Sequence, residues 1–97
     1  MAKGYWITTY RNISDPDAVL AYAKLAAPAL QGMGGRFVAR GMPVAAKEQG
    51  LMQRTVVIEF PSVGAAQKAY DSAAYKEALA ALGNGAERDI RIIEGVE

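Results

Sequence analysis

Apolar and polar residues alternate with period two in four short stretches of the chain and recur with helical spacing in two longer ones. "GYWITTY", residues 4–10, is rich in aromatic and β-branched residues and reads as a strand. It runs into "NISDPD", where Ser14 or Asp15 can accept the free amide hydrogens of a helix start, Pro16 suits the first turn, and Asp17 favours the positive end of the helix dipole. Val19, Tyr22, Ala26, Ala29 or Leu30, and Met33 then define the inner face of a helix over about 15–32. Pro28 removes the amide that would bond to the carbonyl of Lys24, so a kink or loosening is expected there. "GMGG", 32–35, follows that helix and precedes the strand "RFVARG". Phosphate-cradling glycines instead follow a strand and open a helix, so the order here predicts a helix cap and turn.

Residues 42–53 form a connection with Pro43 and Gly50 that is too long for a tight hairpin and is expected to extend it or overhang the sheet. "RTVVIEF", 54–60, is the third strand, and Ser62 is placed to cap a helix over 63–82. Its inner face is Val63, Ala66, Ala69 or Tyr70, Leu79 and Leu82, with a break predicted at Asp71 and Ser72, both of which compete for backbone hydrogen bonds. "GNG", 83–85, ends it, and "DIRIIEGV" supplies the last strand. The order β, α, β, β, α, β predicts an α+β, ferredoxin-like domain filling residues 1–97, with a four-stranded antiparallel sheet and both helices on one face.

Alternation splits the strands into two surfaces. Val56, Ile58 and Phe60, with Phe37, Ala39, Ile90 and Ile92, suit packing under the helices. The opposite set holds Thr55, Val57 and Glu59, with Arg36, Val38 and Arg40, and Asp89, Arg91 and Ile93. In the first strand, Ile7 is assigned to the helix side and Trp6 and Tyr10 to the open side. An open face with this mixture is too apolar for water and too charged for a dry core, so a symmetric homodimer is expected, two sheets meeting face to face around a polar cleft.

Composition narrows the chemistry. The chain has 97 residues, 52% of them hydrophobic and 22% charged, and a chain this short buries only about two thirds of its unfolded surface, which favours a partner subunit. No apolar run approaches a membrane span and the first ten residues lack a long apolar segment with a cleavage site, so a cytoplasmic location and no membrane partner are expected. A net charge of +1 gives no field to attract nucleic acid. Cysteine and histidine are both absent, which excludes thiol nucleophiles, disulfides, histidine-based triads and the usual zinc sites. The carboxylates are scattered, and no metal site is expected.

Five residues are the candidate lining of the cleft: Trp6 and Tyr10 as aromatic walls, Arg36 and Arg40 as anchors for an anionic group, and Glu59 as the one candidate for catalysis. Enclosure could raise the Glu59 pKa toward that of a general base. The competing reading makes Glu59 half of a cross-strand ion pair with an arginine, an arrangement commoner than a catalytic carboxylate. Tyr22 is expected in the core, Tyr70, Asp71 and Tyr75 as capping and packing residues, and Arg54 and Arg88 as solvated charges flanking strands.

The segments "GYWI", "SDPDAVLAYAKLAAPAL", "GGRFVARG", "VVIEFPSVGAAQKAYDSAAYKEAL" and "IRIIEGV" together resemble domain-of-unknown-function family 1330 of the dimeric α/β-barrel superfamily. The most specific pieces are GGRF and EFPS followed by Tyr70, Asp71 and Ser72; relatives often have proline next, where this chain has Ala73. The resemblance implies a ferredoxin-like homodimer and supplies no activity. The wider superfamily includes cofactor-free monooxygenases, isomerases, dehalogenases and haem-degrading enzymes, and the last typically use a histidine that this chain lacks. The expectation is a binding or assembly module with a small-molecule cleft and no cofactor. The alternative is a cofactor-independent enzyme, monooxygenase- or isomerase-like, using Glu59 as base. An RNA-binding reading, suggested by the same element order, is disfavoured because Thr55, Val57 and Glu59 offer no stacking aromatic on the third strand.

Overall fold

The structure, a computed structural model, describes residues 2–96. Its elements are β1 (Gly4–Ile13), α1 (Pro16–Gly32), β2 (Arg36–Gly41), β3 (Thr55–Phe60), α2 (Val63–Tyr70), α3 (Ala73–Leu82) and β4 (Ala86–Glu94). The four strands form one antiparallel sheet in the order β2-β3-β1-β4, the ferredoxin-like arrangement expected from the pattern.

The helix boundaries follow from side chains that satisfy the first free amides. Asp15 accepts from the Ala18 amide at 3.2 Å, and Ser62 from the Ala65 amide at 3.0 Å. The break between α2 and α3 is made by Ser72, whose Oγ donates to the Ala69 carbonyl at 2.7 Å and accepts from the Tyr75 amide at 3.2 Å. One hydroxyl thus closes one helix and opens the next. α1 continues through Pro28 to Gly32. The glycines after it serve the turn: Gly34 has φ +95°, and a Cβ at Gly35 would stand 2.8 Å from the Leu30 carbonyl oxygen and 2.9 Å from the Phe60 ring.

One face of the sheet is covered by the helices. Val19, Tyr22, Ala26 and Leu30 of α1, Ala66 and Ala69 of α2, and Tyr75, Ala78 and Leu82 of α3 pack on Trp6, Tyr10, Val56, Ile58 and Phe60. Met33, expected on the inner stripe, lies past the end of α1 and stays half-exposed.

Register corrects five face assignments, those of Trp6, Ile7, Tyr10, Ala39 and Arg40. Trp6 lies opposite both Ile58 and Ile92, so Gly4, Trp6, Thr8 and Tyr10 face the helices, and Tyr5, Ile7 and Thr9 face outward. The reason is volume and polarity together: the indole is fully buried among Phe60, Tyr70 and Tyr75, and its Nε1 donates to Thr8 Oγ1 at 2.8 Å, a partner two residues on and therefore on the same face. In β2 a bulge at Val38 inserts one residue between the pairs Phe37–Ile58 and Ala39–Val57, which reverses the alternation. Ala39 therefore moves to the open face and Arg40, opposite buried Val56, to the helix side.

Candidate functional site

The open face is a grid of three rows read across β2, β3, β1 and β4: Arg36, Glu59, Tyr5 and Ile93; then Ala39, Val57, Ile7 and Arg91; then Gly41, Thr55, Thr9 and Asp89. Glu59 is the centre of its charge. Lys3 Nζ donates to Oε1 at 3.2 Å, Arg36 Nη2 to Oε2 at 3.2 Å, and the Tyr5 hydroxyl reaches Oε2 at 3.4 Å. The hydrogen bond from Lys3, helped by that from Arg36 and by both positive charges, holds the carboxyl below its ordinary 4.5 against a smaller opposing effect of burial. A carboxylate kept ionised and surrounded by its own donors is a weak proton acceptor near neutrality. Asp89 and Arg91 pair similarly along β4, at 3.3 Å.

Of the five residues expected to line one cleft, the structure keeps Arg36 and Glu59 together on the open face and places Trp6, Tyr10 and Arg40 on the other side of the sheet. Tyr10 is buried in the core, and Arg40 lies over the Phe37 ring, 4.7 Å from its centroid. The aromatic walls of the expected cleft are therefore absent from it. The 42–53 connection overhangs the end of the sheet and borders an open groove of about 580 Å³, lined by Thr9, Ala39, Met42, Leu51 and Thr55 among others and touched at its edge by Tyr10 and Arg40.

The helix side holds Arg54 and Arg88, expected in solvent, beside Tyr22 and Tyr75, which are buried as expected. Arg88 reaches inward, its guanidinium carbon 4.5 Å from the centroid of the Tyr22 ring and 5.6 Å from that of Tyr10. The Tyr22 and Tyr75 hydroxyls are 2.7 Å apart, and burial, reinforced by Tyr22, pushes the Tyr75 phenol well above its usual range. Arg54, just before β3, also turns inward. Among the described residues no group of three or more acidic side chains is placed to hold a metal ion, and no helix is long and apolar enough to cross a membrane.

Residues 3–96 match the model of the family "Domain of unknown function (DUF1330)". The chain belongs to that family. No curated protein matches the DUF1330 chain. Among solved structures, it is similar to a protein of unknown function from Rhodopseudomonas palustris, at 17% identity and a TM-score of 0.74 over 99% of this chain and 84% of that one. It also resembles a dimeric ferredoxin-like protein of unknown function from Thermobifida fusca, at 17% identity and 0.67 over 96% and 91%. A third neighbour is SnoaB, a cofactor-independent oxygenase from Streptomyces nogalater, at 13% identity and 0.60 over 99% and 93%. At these identities the likeness concerns the fold of the DUF1330 chain.

The two inward arginines of this DUF1330 chain carried a signal. Arg88 shares parity with Ile90 and Ile92, and Arg54 with Val56, Ile58 and Phe60, so each continues the helix-side row of its strand.

Proposed function

We propose that this protein is a homodimeric binding module, in which a second copy covers the open face of the sheet and small molecules lodge in the groove beneath the 42–53 overhang. The observation that carries the reading is the centre of the open face, where Ile7 and Val57 lie directly opposite each other, with Ile93 and Val38 about half-exposed nearby. An apolar strip on an uncovered sheet face favours a partner. Burial by a second copy would not strand the Glu59 carboxylate, because Lys3 and Arg36 of its own chain already pair with it. The description of the Thermobifida fusca neighbour as dimeric supports the same assembly. The groove, with Met42 and Leu51 against Thr9 and Thr55, offers an apolar wall and hydroxyl partners to a ligand. Sedimentation at micromolar concentration should give twice the 10.3 kDa of one chain, and Val57→Lys should shift it to one chain while keeping cooperative unfolding. A wild-type monomer under those conditions would overturn the dimer.

The alternative, a cofactor-independent enzyme with Glu59 as base, draws on the fold shared with the oxygenase and is weakened by the three donors on that carboxylate. A substrate screen in which turnover disappears in Glu59→Gln would revive it.

A further inference from the structure

A cavity of about 30 Å³ lies between α1 and the helix side of the sheet, lined by Trp6, Tyr10, Tyr22, Arg40, Arg54 and Arg88 and walled by small residues of α1, Ala23, Ala26 and Ala27. Volume of this kind accommodates about two waters or a group the size of a carboxylate. Its position is set by the sheet. The Tyr10 amide donates to the Arg54 carbonyl at 3.0 Å on one side, and Tyr10 pairs with Arg88 on the other, so the two arginines flank Tyr10 in one cross-strand row. Strand spacing puts their backbones roughly 10 Å apart, a gap that two long side chains rising from the same face can close from both ends.

The charge balance there is one-sided. Three arginines and no carboxylate line the cavity. Among the described residues, the ion pairs involve Lys3, Arg36 and Arg91, and none includes Arg40, Arg54 or Arg88. Arg54 Nε and Arg88 Nη1 are buried with no hydrogen-bond partner in the protein. The Tyr22 and Tyr75 side chains offset the Arg88 charge through ring and oxygen, but they leave Arg88 Nη1 without an acceptor in hydrogen-bonding geometry, and Arg54 Nε has none either. Buried donors of this kind cost stability unless they meet an acceptor. Tyr22 and Tyr75 add a further donor, since two hydroxyls sharing one hydrogen bond leave one phenolic proton uncommitted. Burial disfavours the charged form of Arg88, but the neighbouring tyrosine oxygens more than offset it, so the side chain stays cationic.

We infer that Arg54 and Arg88 form a receptor for a carboxylate-sized oxyanion, held between α1 and the sheet with Tyr22 as an additional donor. The site is on the opposite side of the sheet from the proposed dimer contact and does not depend on it. An oxyanion accepts from several in-plane N–H groups at once, which is what the two guanidinium edges lack.

The test is titration of the wild-type protein with sodium acetate and with inorganic phosphate in a low-chloride buffer at constant ionic strength. Calorimetry gives the stoichiometry, and fluorescence of Trp6, the single tryptophan and part of the cavity wall, gives a local signal. Saturable binding of one anion per chain is expected, weakened roughly tenfold or more in Arg54→Gln and in Arg88→Gln and unchanged in Arg36→Gln on the other face. Saturation by acetate assigns the site to the carboxylate of an organic ligand, and saturation by phosphate alone assigns it to inorganic phosphate; both support the receptor. Absence of a saturable isotherm with either anion, as two bound waters would give, overturns it. So does binding that survives in both arginine variants. Should Arg88→Gln fail to unfold cooperatively, the wild-type isotherm and Arg54→Gln decide.

Discussion

The two faces of the sheet treat charge in opposite ways. On the open face Glu59 meets Lys3 and Arg36, and Asp89 meets Arg91, so each of these carboxylates has a cationic partner within the chain. On the covered face, where an unmatched charge is most expensive, Arg54 and Arg88 bring cations inward with no acidic partner among the described residues. The contrast teaches that polar residues which look ready for chemistry in a sequence can be the settled ones. Exposed ion pairs are weak and screened by salt, and they leave few free lone pairs or protons. The groups with unspent hydrogen-bonding capacity are those under the helices.

Mutations that act on one face at a time sharpen this contrast. The largest effect belongs to Trp6→Ala, which should remove about 3–5 kcal/mol of stability in urea unfolding, because the indole is fully buried against Phe60, Tyr70 and Tyr75. A loss under about 1 kcal/mol would place the ring at the surface and break the register that separates the faces.

Alkali should act next, again on the covered face. Tyr75 titrates far above its ordinary 10.0 when folded, so the unfolded chain releases that proton first; stability is full below pH 10 and falls as pH rises beyond it. Ultraviolet absorbance of phenolate should show at least one tyrosine ionising only as the protein unfolds, and complete ionisation with the fold intact would refute this. A smaller effect, about 1 kcal/mol, is expected for Ser72→Ala, which takes the cap from α3 and should lower the thermal midpoint by several degrees.

The smallest effect is on the open face. Glu59→Gln should destabilise only slightly, less so at high salt. Its pairing contribution is complete above pH 4.5 and fades as pH falls through the depressed folded value, so wild type and variant should converge in acid unfolding. A large, salt-independent loss in Glu59→Gln would mean that the open-face charges act as buried ones.

The fold was legible wherever one local cause decided the outcome. Asp15, Ser62 and Ser72 announce helix starts by short polar side chains ahead of apolar periodicity, and the Asp71–Ser72 break follows from the same chemistry. The β3 faces were legible because Val56, Ile58 and Phe60 leave no rival row. The first strand was not, because Tyr5, Ile7 and Thr9 are as apolar as Trp6, Thr8 and Tyr10, and packing against Tyr75 and Phe60, far away in sequence, breaks the tie. The pairing of Glu59 with Arg36 was one of two readings on offer, and Lys3 as its second partner lay outside both. Arg54 and Arg88 had the parity of the core rows, but the general tendency of charges at strand ends to be solvated pointed the other way.

The bulge at Val38 has a consequence for how this sequence can change. In a regular strand the number of residues fixes which side each one faces, so length and phase cannot vary independently. The extra residue in β2 uncouples them: the pairs toward Arg36 keep one phase, and those from Ala39 to Gly41 keep the other. Loss of that single residue would restore regular pairing with the partners on β3 in place, Ala39 still opposite Val57 on the open face and Arg40 still opposite Val56 on the helix side. A one-codon deletion there would leave the facing of β2 unchanged, whereas the same deletion at a regularly paired position would turn the rest of the strand over. The bulge is therefore the one place in β2 where length can vary without moving an arginine between surfaces.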